Sequence, residues 1–398
     1  TSKKHTALRI APEYDHGVVH VDDASKAVGV VSRLLSTDRR KQFLAEVASE
    51  QAAQRDTSER SGTRPTRPST EAREKHFDGG WADYTPPQPR VQGLKLFDDI
   101  PVGDIIPLID WTPFFRTWEM KGIYPTILDD PEQGETAREL FDAAHAMLER
   151  INTEKWFTPR AVIGFWPANS EGDDIVVWRD EERHTPLTHF NMLRQQAQKT
   201  GDRANLCLAD FVAPVGQRDW IGGFAVTSGP EVHEISDHMK REGNDYDSIL
   251  VQALADRLAE ALAELMHQRV RTEYWGYAAD ENLTNEELIA EKYRGIRPAA
   301  GYPACPDHTE KHTLFRLLDA EKNTGISLTE SCAMWPAASV SGLYFAHPGA
   351  TYFGVGRIGA DQVADYARRK EMSEQEVETW LAQNLAYTPG KEPARKIA

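Results

Sequence analysis

The sequence has 398 residues, a length that suggests two or more domains and leaves room for a sizeable core. With 40% hydrophobic and 27% charged residues, its composition is that of a folded protein rather than a disordered or fibrous one. The 62 acidic residues outnumber the 46 Lys and Arg, and a net charge of -16 argues against a nucleic-acid partner.

Membrane and secretory segments are not evident. No apolar stretch approaches the ~20 residues of a membrane helix, and the polar start TSKKH (1–5) contains no secretory segment. Cys207, Cys305 and Cys332 are widely spaced, which fits reduced thiols better than a disulfide framework. We therefore expect a cytoplasmic protein that binds neither membrane nor nucleic acid.

The first 75 residues predict a small α/β fragment and a linker. Apolar and polar residues alternate at 7–10 and 18–21, which indicates two strands, and helical spacing follows at 24–35. The polar segment 51–74 contains SGTRPTRPST (61–70), which has too little apolar surface to fold alone and indicates a linker.

The remainder predicts a mixed α+β domain. Strand patterns occur at 161–166, 174–178 and 221–226. A long helix is expected over 246–272, with an apolar stripe on one face and polar residues on another. The stripe is Leu250, Leu254, Leu258, Ala261 and Leu265, and the polar face is Asp256, Glu260, Glu264 and His267.

Helix ends are also marked in this part of the chain. Thr284 with Glu287, and Ser373 with Glu376, have the spacing of capping boxes. Gly325 is expected to end the helix that contains Leu314.

The segment RPAAGYPACPDHTEK (297–311) is the first candidate site. Its prolines stiffen a loop, Gly301 permits close backbone approach, and Arg297 can hold a carboxylate bidentately. Exposed amides of such a loop suit the edge of an adenine. From the chemistry alone, a rigid turn whose arginine pairs with a nearby acid is an equally good interpretation.

Two other motifs suggest rival sites. GVGRIG (354–359) matches the dinucleotide pattern GxGxxG, but the sequence after the next helix leads into another helix, not a parallel strand. His308 and His312 are one helical turn apart, as in some metal sites, but the acid between them is misplaced for HExxH and no third ligand is obvious. We expect neither site.

The 297–311 segment strongly resembles the S-adenosylmethionine loop in the reactivation domain of cobalamin-dependent methionine synthases. Further blocks resemble that family in its order: DWTPFF (110–115), NLCLADFVAP (205–214), VQALADRLAEA (251–261) and DQVADYARR (361–369). The resemblance covers about residues 61–388. It implies a C-shaped α+β domain with a twisted antiparallel sheet and flanking helices.

The family's ligand residues transfer to matching positions. The resemblance implies that Asp110 meets the amino group of the methionine moiety and Arg297 its carboxylate. It further implies that backbone groups of Tyr302 and Ala304 meet adenine, and that Tyr352 and Phe353 line the far side of the ligand. It also implies that Glu260 and Glu291 are acids near the site and that His308 lies near the interface with the cobalamin-binding domain.

Without the resemblance, these residues have ordinary structural interpretations. Asp110 could cap a helix, Tyr352 and Phe353 could be strand core, and Glu260 and Glu291 could be solvated acids. His308 could be a loop-end histidine with a structural hydrogen bond.

The resemblance also predicts three segments. Residues 1–44 would be the tail of the family's cobalamin-binding domain, 45–75 a linker, and 61–398 the S-adenosylmethionine-binding activation domain, with a start that overlaps the linker. The family's cobalt-ligand pattern DxHxxG does not occur in the sequence, so cobalamin is not expected to bind stably to this chain alone. Zinc, folate and homocysteine sites belong to family modules that this sequence does not contain.

Two function classes remain open. In the first, the chain is the reactivation module of a methyltransferase: it presents the methyl group of S-adenosylmethionine for reductive methylation of cob(II)alamin to methylcobalamin. Its partners would be the cobalamin-binding domain and a flavodoxin-like electron donor, and the fragment alone would not synthesise methionine. In the second, the chain is a non-catalytic S-adenosylmethionine sensor or docking module.

Overall fold

The computed structural model describes residues 3, 6–14, 16–21, 24–36, 39–62 and 66–390. The chain divides into two compact units, Pro68–Leu385 and a smaller one that combines Thr1–Arg67 with Ala386–Ala398. Residues 391–398 of the predicted C-terminal domain lie outside the described residues. The domain boundaries that the sequence suggests at 44, 61 and 75 stay predictions.

In the described part of the smaller unit, the two long helices are α1 (Ala24–Leu35) and α2 (Arg40–Gly62), and α1 confirms the helix predicted there. The two predicted strands are wrong: Thr6–Ile10 forms a π-helical turn, and 18–21 has no regular structure. Side chains of α2 satisfy the backbone instead, because Arg55 donates to Ala7 O at 3.0 Å and Gln51 to Val18 O at 2.7 Å. Helix α2 also extends into the polar segment predicted as a linker.

The larger unit is built on an antiparallel sheet of six strands, in the order β4-β3-β2-β5-β8 with β1 paired to β2. The strands of this unit are β1 (Gly93–Phe97), β2 (Arg160–Glu171), β3 (Asp174–Trp178), β4 (Pro186–Asn191), β5 (Asp219–Thr227), β6 (Ser327–Leu328), β7 (Met334–Trp335) and β8 (Ser339–Tyr344). Strands β6 and β7 form a separate two-stranded ribbon. The three strands predicted from alternation are confirmed as β2, β3 and β5.

Helices flank this sheet, and together they confirm the α+β class. They are α3 (Ser69–Glu74), α4 (Val102–Ile105), α5 (Trp111–Thr117), α6 (Gly134–Thr153), α7 (Glu231–Arg241), α8 (Asp245–Arg269), α9 (Asn285–Ile289), α10 (Glu310–Leu318), α11 (Ala320–Thr324), α12 (Ala360–Lys370) and α13 (Glu374–Trp380). Among the described residues, no helix is both long and apolar enough to cross a membrane.

The central strands are buried on both faces. Successive side chains of a strand point to opposite faces, so Phe224 of β5 packs in the core that includes α5, α6 and α8, whereas Ala225 packs in the core that includes α10 and α11. Every residue of β5 is buried. The sheet is therefore a middle layer, and the segments beside its β8 edge are held from two sides.

The long helix α8 confirms the helix predicted at 246–272, with one change to its polar face. Its apolar stripe is buried, but Glu264 and His267 are buried as well, although the pattern placed them on a polar face. Near the C-terminal end of α8, His267 stacks on Tyr344 of β8 and also contacts Tyr293 and Arg297.

The helix ends follow the predicted caps, with one exception. Both capping boxes, at Thr284 and Ser373, are present. Gly325 adopts a φ of 78° and ends the short helix α11, whereas α10 ends six residues earlier at Asp319, whose φ is 47°. The GVGRIG motif lies in a loop that leads into α12, and α13 follows, so no parallel strand completes a βαβ unit.

Candidate ligand groove

Two adjoining cavities of the larger unit form one groove along α8 and the 297–304 loop. A polar cavity of about 310 Å³ is lined by Asp110 and Glu264, and a more apolar one of about 540 Å³ by Tyr302 and Tyr352. The two cavities share Glu260, Glu291 and Arg297. All eight residues that the sequence assigns to the ligand line this groove, namely Asp110, Glu260, Glu291, Arg297, Tyr302, Ala304, Tyr352 and Phe353.

Arg297 stands where the two cavities meet because its segment extends the sheet beyond β8. Ile296 pairs with Phe345 in an antiparallel bridge, and Pro298 O accepts from Leu343 N at 2.9 Å. This approach requires Gly342, because a Cβ at that position would lie 2.7 Å from Pro298 O. The backbone of Arg297 is thereby fixed, and its N–H donates to the Tyr352 hydroxyl at 3.0 Å.

The Arg297 guanidinium is surrounded by one carboxylate and two neutral groups. Its Nη1 lies 2.7 Å from Glu264 Oε2, and it donates to Tyr293 Oη at 2.9 Å and to His267 Nδ1 at 3.1 Å. Burial alone lowers the pKa of Arg297, but the Glu264 carboxylate outweighs this effect and raises that pKa above its usual value. The arginine is therefore a permanent cation at the floor of the groove.

Asp110 combines a capping role with a free oxygen. It is the N-cap of α5, where its Oδ1 accepts from Thr112 N at 3.0 Å, so the capping interpretation is correct. Its Oδ2 accepts no hydrogen bond from the described residues, and the side chain lines the polar cavity. One carboxylate can thus cap the helix and still receive a ligand ammonium.

The 297–304 loop is closed by two tight turns. Gly301, with a φ of 94°, donates to Cys305 O at 2.7 Å, and Cys305 donates to Tyr302 O at 2.9 Å. Tyr302 N–H is already donated to Ala299 O at 3.2 Å, so it is not free for an adenine. The N–H and C=O of Ala304 make no hydrogen bond to the described residues, which leaves Ala304 as the better backbone partner.

The far wall of the apolar cavity comes from the segment after β8. Val355 N donates to Pro303 O at 2.8 Å, which holds the half-buried Tyr352 and Phe353 opposite the loop. This segment has no strand hydrogen bonds, so the interpretation of these two residues as strand core is not supported. Tyr302, which is 61% exposed, lies on the opposite side of the cavity.

Glu260 and Glu291 stand at the shared rim. Both are exposed, and they come from different elements, Glu260 from α8 and Glu291 from the turn after α9. Glu291 adopts a φ of 55°, a left-handed conformation that is uncommon for a residue with a side chain. The polar cavity has four acids against two arginines, Arg257 and Arg297, so it suits a ligand with a net positive charge.

His308 lies outside both cavities. Its ring packs directly on Gly301, where an added Cβ would lie 2.2 Å from Cε1, and its Nδ1 is 3.1 Å from Lys311 Nζ. His308 therefore supports the loop from behind. His312 contacts Cys332 Sγ at 3.3 Å rather than His308, and the described residues contain no cluster of three or more potential metal ligands.

Two comparisons to known proteins match this chain. The family described as "Vitamin B12 dependent methionine synthase, activation domain" matches residues 101–371. The chain belongs to this family. It is also similar to a solved structure, "Crystal Structure of the MetH Reactivation Domain bound to AdoHcy", with 53% identity, a TM-score of 0.79, and coverage of 81% of this chain and 100% of that one.

Membership in the activation-domain family confirms the predicted family and fold, and it identifies this chain as a reactivation domain of a cobalamin-dependent methionine synthase. Sequence reasoning missed Glu264, His267 and Tyr293 as contacts of the site's arginine. Glu260, Glu264 and His267 lie at i, i+4 and i+7 on α8, so an acid assigned to the site at Glu260 already pointed to the other two. Tyr293 carried no comparable signal.

Proposed function

We propose that the groove binds S-adenosylmethionine and presents its methyl group to reduced cobalamin on a neighbouring cobalamin-binding domain. The observation that carries this proposal is the convergence of Asp110 and Arg297 on one small polar cavity that opens into an apolar one. The reactivation domain to which the chain is similar was solved with AdoHcy bound, which supports an adenosyl ligand.

The two cavities divide the ligand into its parts. The polar cavity suits the amino-acid end, with Asp110 for the ammonium and Arg297 for the carboxylate. The larger cavity suits the adenosine, between Tyr302 and the pair Tyr352 and Phe353, with Ala304 offering backbone groups to the base. The sulfonium would then lie at the shared rim, where Glu260 and Glu291 favour its positive charge.

The protein's role in this proposal is to bind and orient. The described residues that line the two cavities include no Cys, Ser, His or Lys, so none of these side chains is available there as a nucleophile or base. For the methyl group to transfer, the sulfonium C–S bond would break and S-adenosylhomocysteine would leave. Cobalamin on the neighbouring domain, reduced by one electron from a flavodoxin-like donor, would be the acceptor that forms the new bond to the methyl carbon. The groove contributes position and charge.

Binding and chemistry are tested separately. Calorimetry with the purified chain should show S-adenosylmethionine binding, and Arg297→Ala should weaken it by about 1.5 to 3 kcal/mol, the range for a hydrogen bond to a charged group. Unchanged affinity in a folded Arg297→Ala variant would remove the carboxylate assignment.

The corrinoid spectrum then tests the methyl transfer. The chain is mixed with a separately expressed cobalamin-binding domain, S-adenosylmethionine and a reductant, and conversion of cob(II)alamin to methylcobalamin is expected. Persistent cob(II)alamin despite demonstrated ligand binding would support a non-catalytic sensor instead.

A further inference from the structure

The hydrogens on Arg297 are unevenly used. The hydrogen bonds of its side chain to Tyr293 Oη and His267 Nδ1 both come from Nη1, and the Glu264 carboxylate contacts the same nitrogen at 2.7 Å. Nε and Nη2 donate no hydrogen bond to the described residues. The guanidinium is planar, so fixing Nη1 fixes the direction of the Nε–Nη2 edge.

His267 can accept this hydrogen only in one form. A protonated ring would place two cations 3.1 Å apart, so Nδ1 must be unprotonated and the ring proton must be on Nε2, 3.5 Å from Tyr277 Oη. The ring is fully buried and stacks on Tyr344. Burial, with the charges of Arg271 and Arg297, holds the pKa of His267 well below its usual value.

Glu264 is fixed by a second arginine behind it. Arg271, fully buried, binds Glu281 through two hydrogen bonds of 2.7 Å and contacts Glu264 Oε1 at 3.4 Å. Glu264 is thus shared between two arginines, Arg271 and Arg297. Glu264, Tyr293 and His267 therefore all hold the same nitrogen, Nη1, and leave the Nε–Nη2 edge of Arg297 unused.

We infer that Tyr293 and His267 are positioning residues that hold Nη1 of Arg297, so that its Nε–Nη2 edge faces the carboxylate of the bound ligand. The inference rests on the proposed function and deepens it. It makes the site selective for adenosyl ligands that retain the amino-acid carboxylate. A bidentate contact needs both donors of one edge aimed together, and a freely rotating arginine would lose that geometry.

The test compares S-adenosylmethionine with its decarboxylated analogue, which lacks only the carboxylate. Calorimetry measures both affinities for the full chain, for Tyr293→Phe and for two His267 variants. Tyr293→Phe should weaken S-adenosylmethionine binding about 3- to 10-fold, the equivalent of one hydrogen bond, and change binding of the analogue less than roughly twofold.

The two His267 variants distinguish the role of the Nδ1 acceptor from the role of the imidazole ring. His267→Asn keeps an oxygen acceptor near the position of Nδ1 and should retain most of the preference for the carboxylate, whereas His267→Leu should lose it. Tyr366→Phe is the matched control, because Tyr366 is also a buried tyrosine but lines neither cavity. Its hydroxyl donates to Asp307 Oδ2 at 2.8 Å, so the change likewise removes one hydrogen bond. This control should leave both affinities unchanged.

Each failure has its own meaning. If the unmodified chain does not bind S-adenosylmethionine, the proposed function is wrong. If it binds both ligands equally, Arg297 does not hold the carboxylate and the inference fails with that assignment. If the unmodified chain prefers the carboxylate and Tyr293→Phe and His267→Leu keep that preference, or weaken both ligands equally, the positioning role is overturned while the proposed function stands.

Discussion

Two arginines of the larger unit, the buried Arg194 and the partly buried Arg297, differ in how many of their donors are used. Arg194 donates from every guanidinium nitrogen, to Asp173 and Asp210 at 2.6–2.8 Å and to Asn205 O at 2.8 Å. Arg297 donates from Nη1 alone. Only 4% of the Arg194 side chain is exposed, against 21% for Arg297.

The contrast shows that burial of a charge does not by itself identify a ligand site. Both arginines pair with carboxylates, and both have a pKa above the usual value: desolvation lowers it in each case and the nearby carboxylates more than offset that effect. What distinguishes Arg297 is an unused donor edge at the wall of a cavity. The Arg194 cluster stabilises the fold, and the Arg297 cluster leaves part of its binding capacity for another molecule.

The largest expected effect tests the structural side of this comparison. Arg194→Ala would leave Asp210 buried without its cation, although Asp173 would keep Arg73 at 2.7 Å. Breaking such a buried pair costs about 3 to 5 kcal/mol, and urea denaturation should show a loss of this size in the free energy of unfolding. A loss below roughly 1 kcal/mol would contradict the structural role of the Arg194 cluster.

Asp110→Ser tests the ligand side. Serine is as good an N-cap as aspartate, so the free energy of unfolding should change by less than about 0.5 kcal/mol. Ligand binding should weaken by about 1.5 to 3 kcal/mol, because the charged partner of the ammonium is gone. Calorimetry and denaturation on the same preparation give both values. A variant that loses stability but keeps its affinity would assign Asp110 to capping alone.

Lowering the pH should affect the two clusters differently, because Arg297 donates a hydrogen bond to a histidine and Arg194 does not. The pKa of His267 is depressed in the folded state, so its contribution to stability is present above the unfolded pKa of about 6.5 and is lost progressively as pH falls from that value toward the folded pKa. The loss approaches about 1.4 kcal/mol per pH unit.

His267→Asn, which cannot titrate, isolates this contribution. Urea denaturation at several pH values should show that the unmodified chain loses stability relative to His267→Asn as pH falls below about 6.5. Parallel pH curves for the two proteins would mean that His267 does not stay neutral in the folded state.

Strand and helix positions in the larger unit were largely predictable from the sequence. The strands at 161–166 and 221–226 are apolar runs in the middle layer, where burial on both faces leaves a strong signal. At 7–10 a short alternation indicated a strand, yet a strand needs a neighbouring edge. The described backbone there is satisfied by side chains of α2 instead.

The groove was predictable only through the resemblance. Asp110, Arg297 and Tyr352 are far apart in the sequence, and the sheet brings their segments together in a way that spacing does not encode. Glu264 and His267 were assigned to a polar face because periodicity reports the faces of one helix. It does not report that Tyr293 and Arg297 contact the second face.

The smallest expected effect compares two capping boxes that have the same chemistry. Thr284 caps α9, which carries Asn285 and Leu288 into the groove wall, and Ser373 caps α13, which lies outside the groove. Thr284→Ala and Ser373→Ala should each cost about 1 kcal/mol of stability, because each removes one side-chain acceptor from a helix N-terminus. The first change should also loosen a wall of the ligand site, whereas the second should not.

Hydrogen exchange separates these two variants. In Thr284→Ala, the amides of Leu288 and Glu291 should exchange faster, and saturating S-adenosylmethionine should restore much of their protection, since the ligand binds the form in which the wall is folded. In Ser373→Ala, the amide of Val377, which donates to Ser373 O, should exchange faster in a way that ligand hardly changes locally. If ligand protects both helices equally, α9 is not part of the binding wall, and the polar cavity must be closed by other residues.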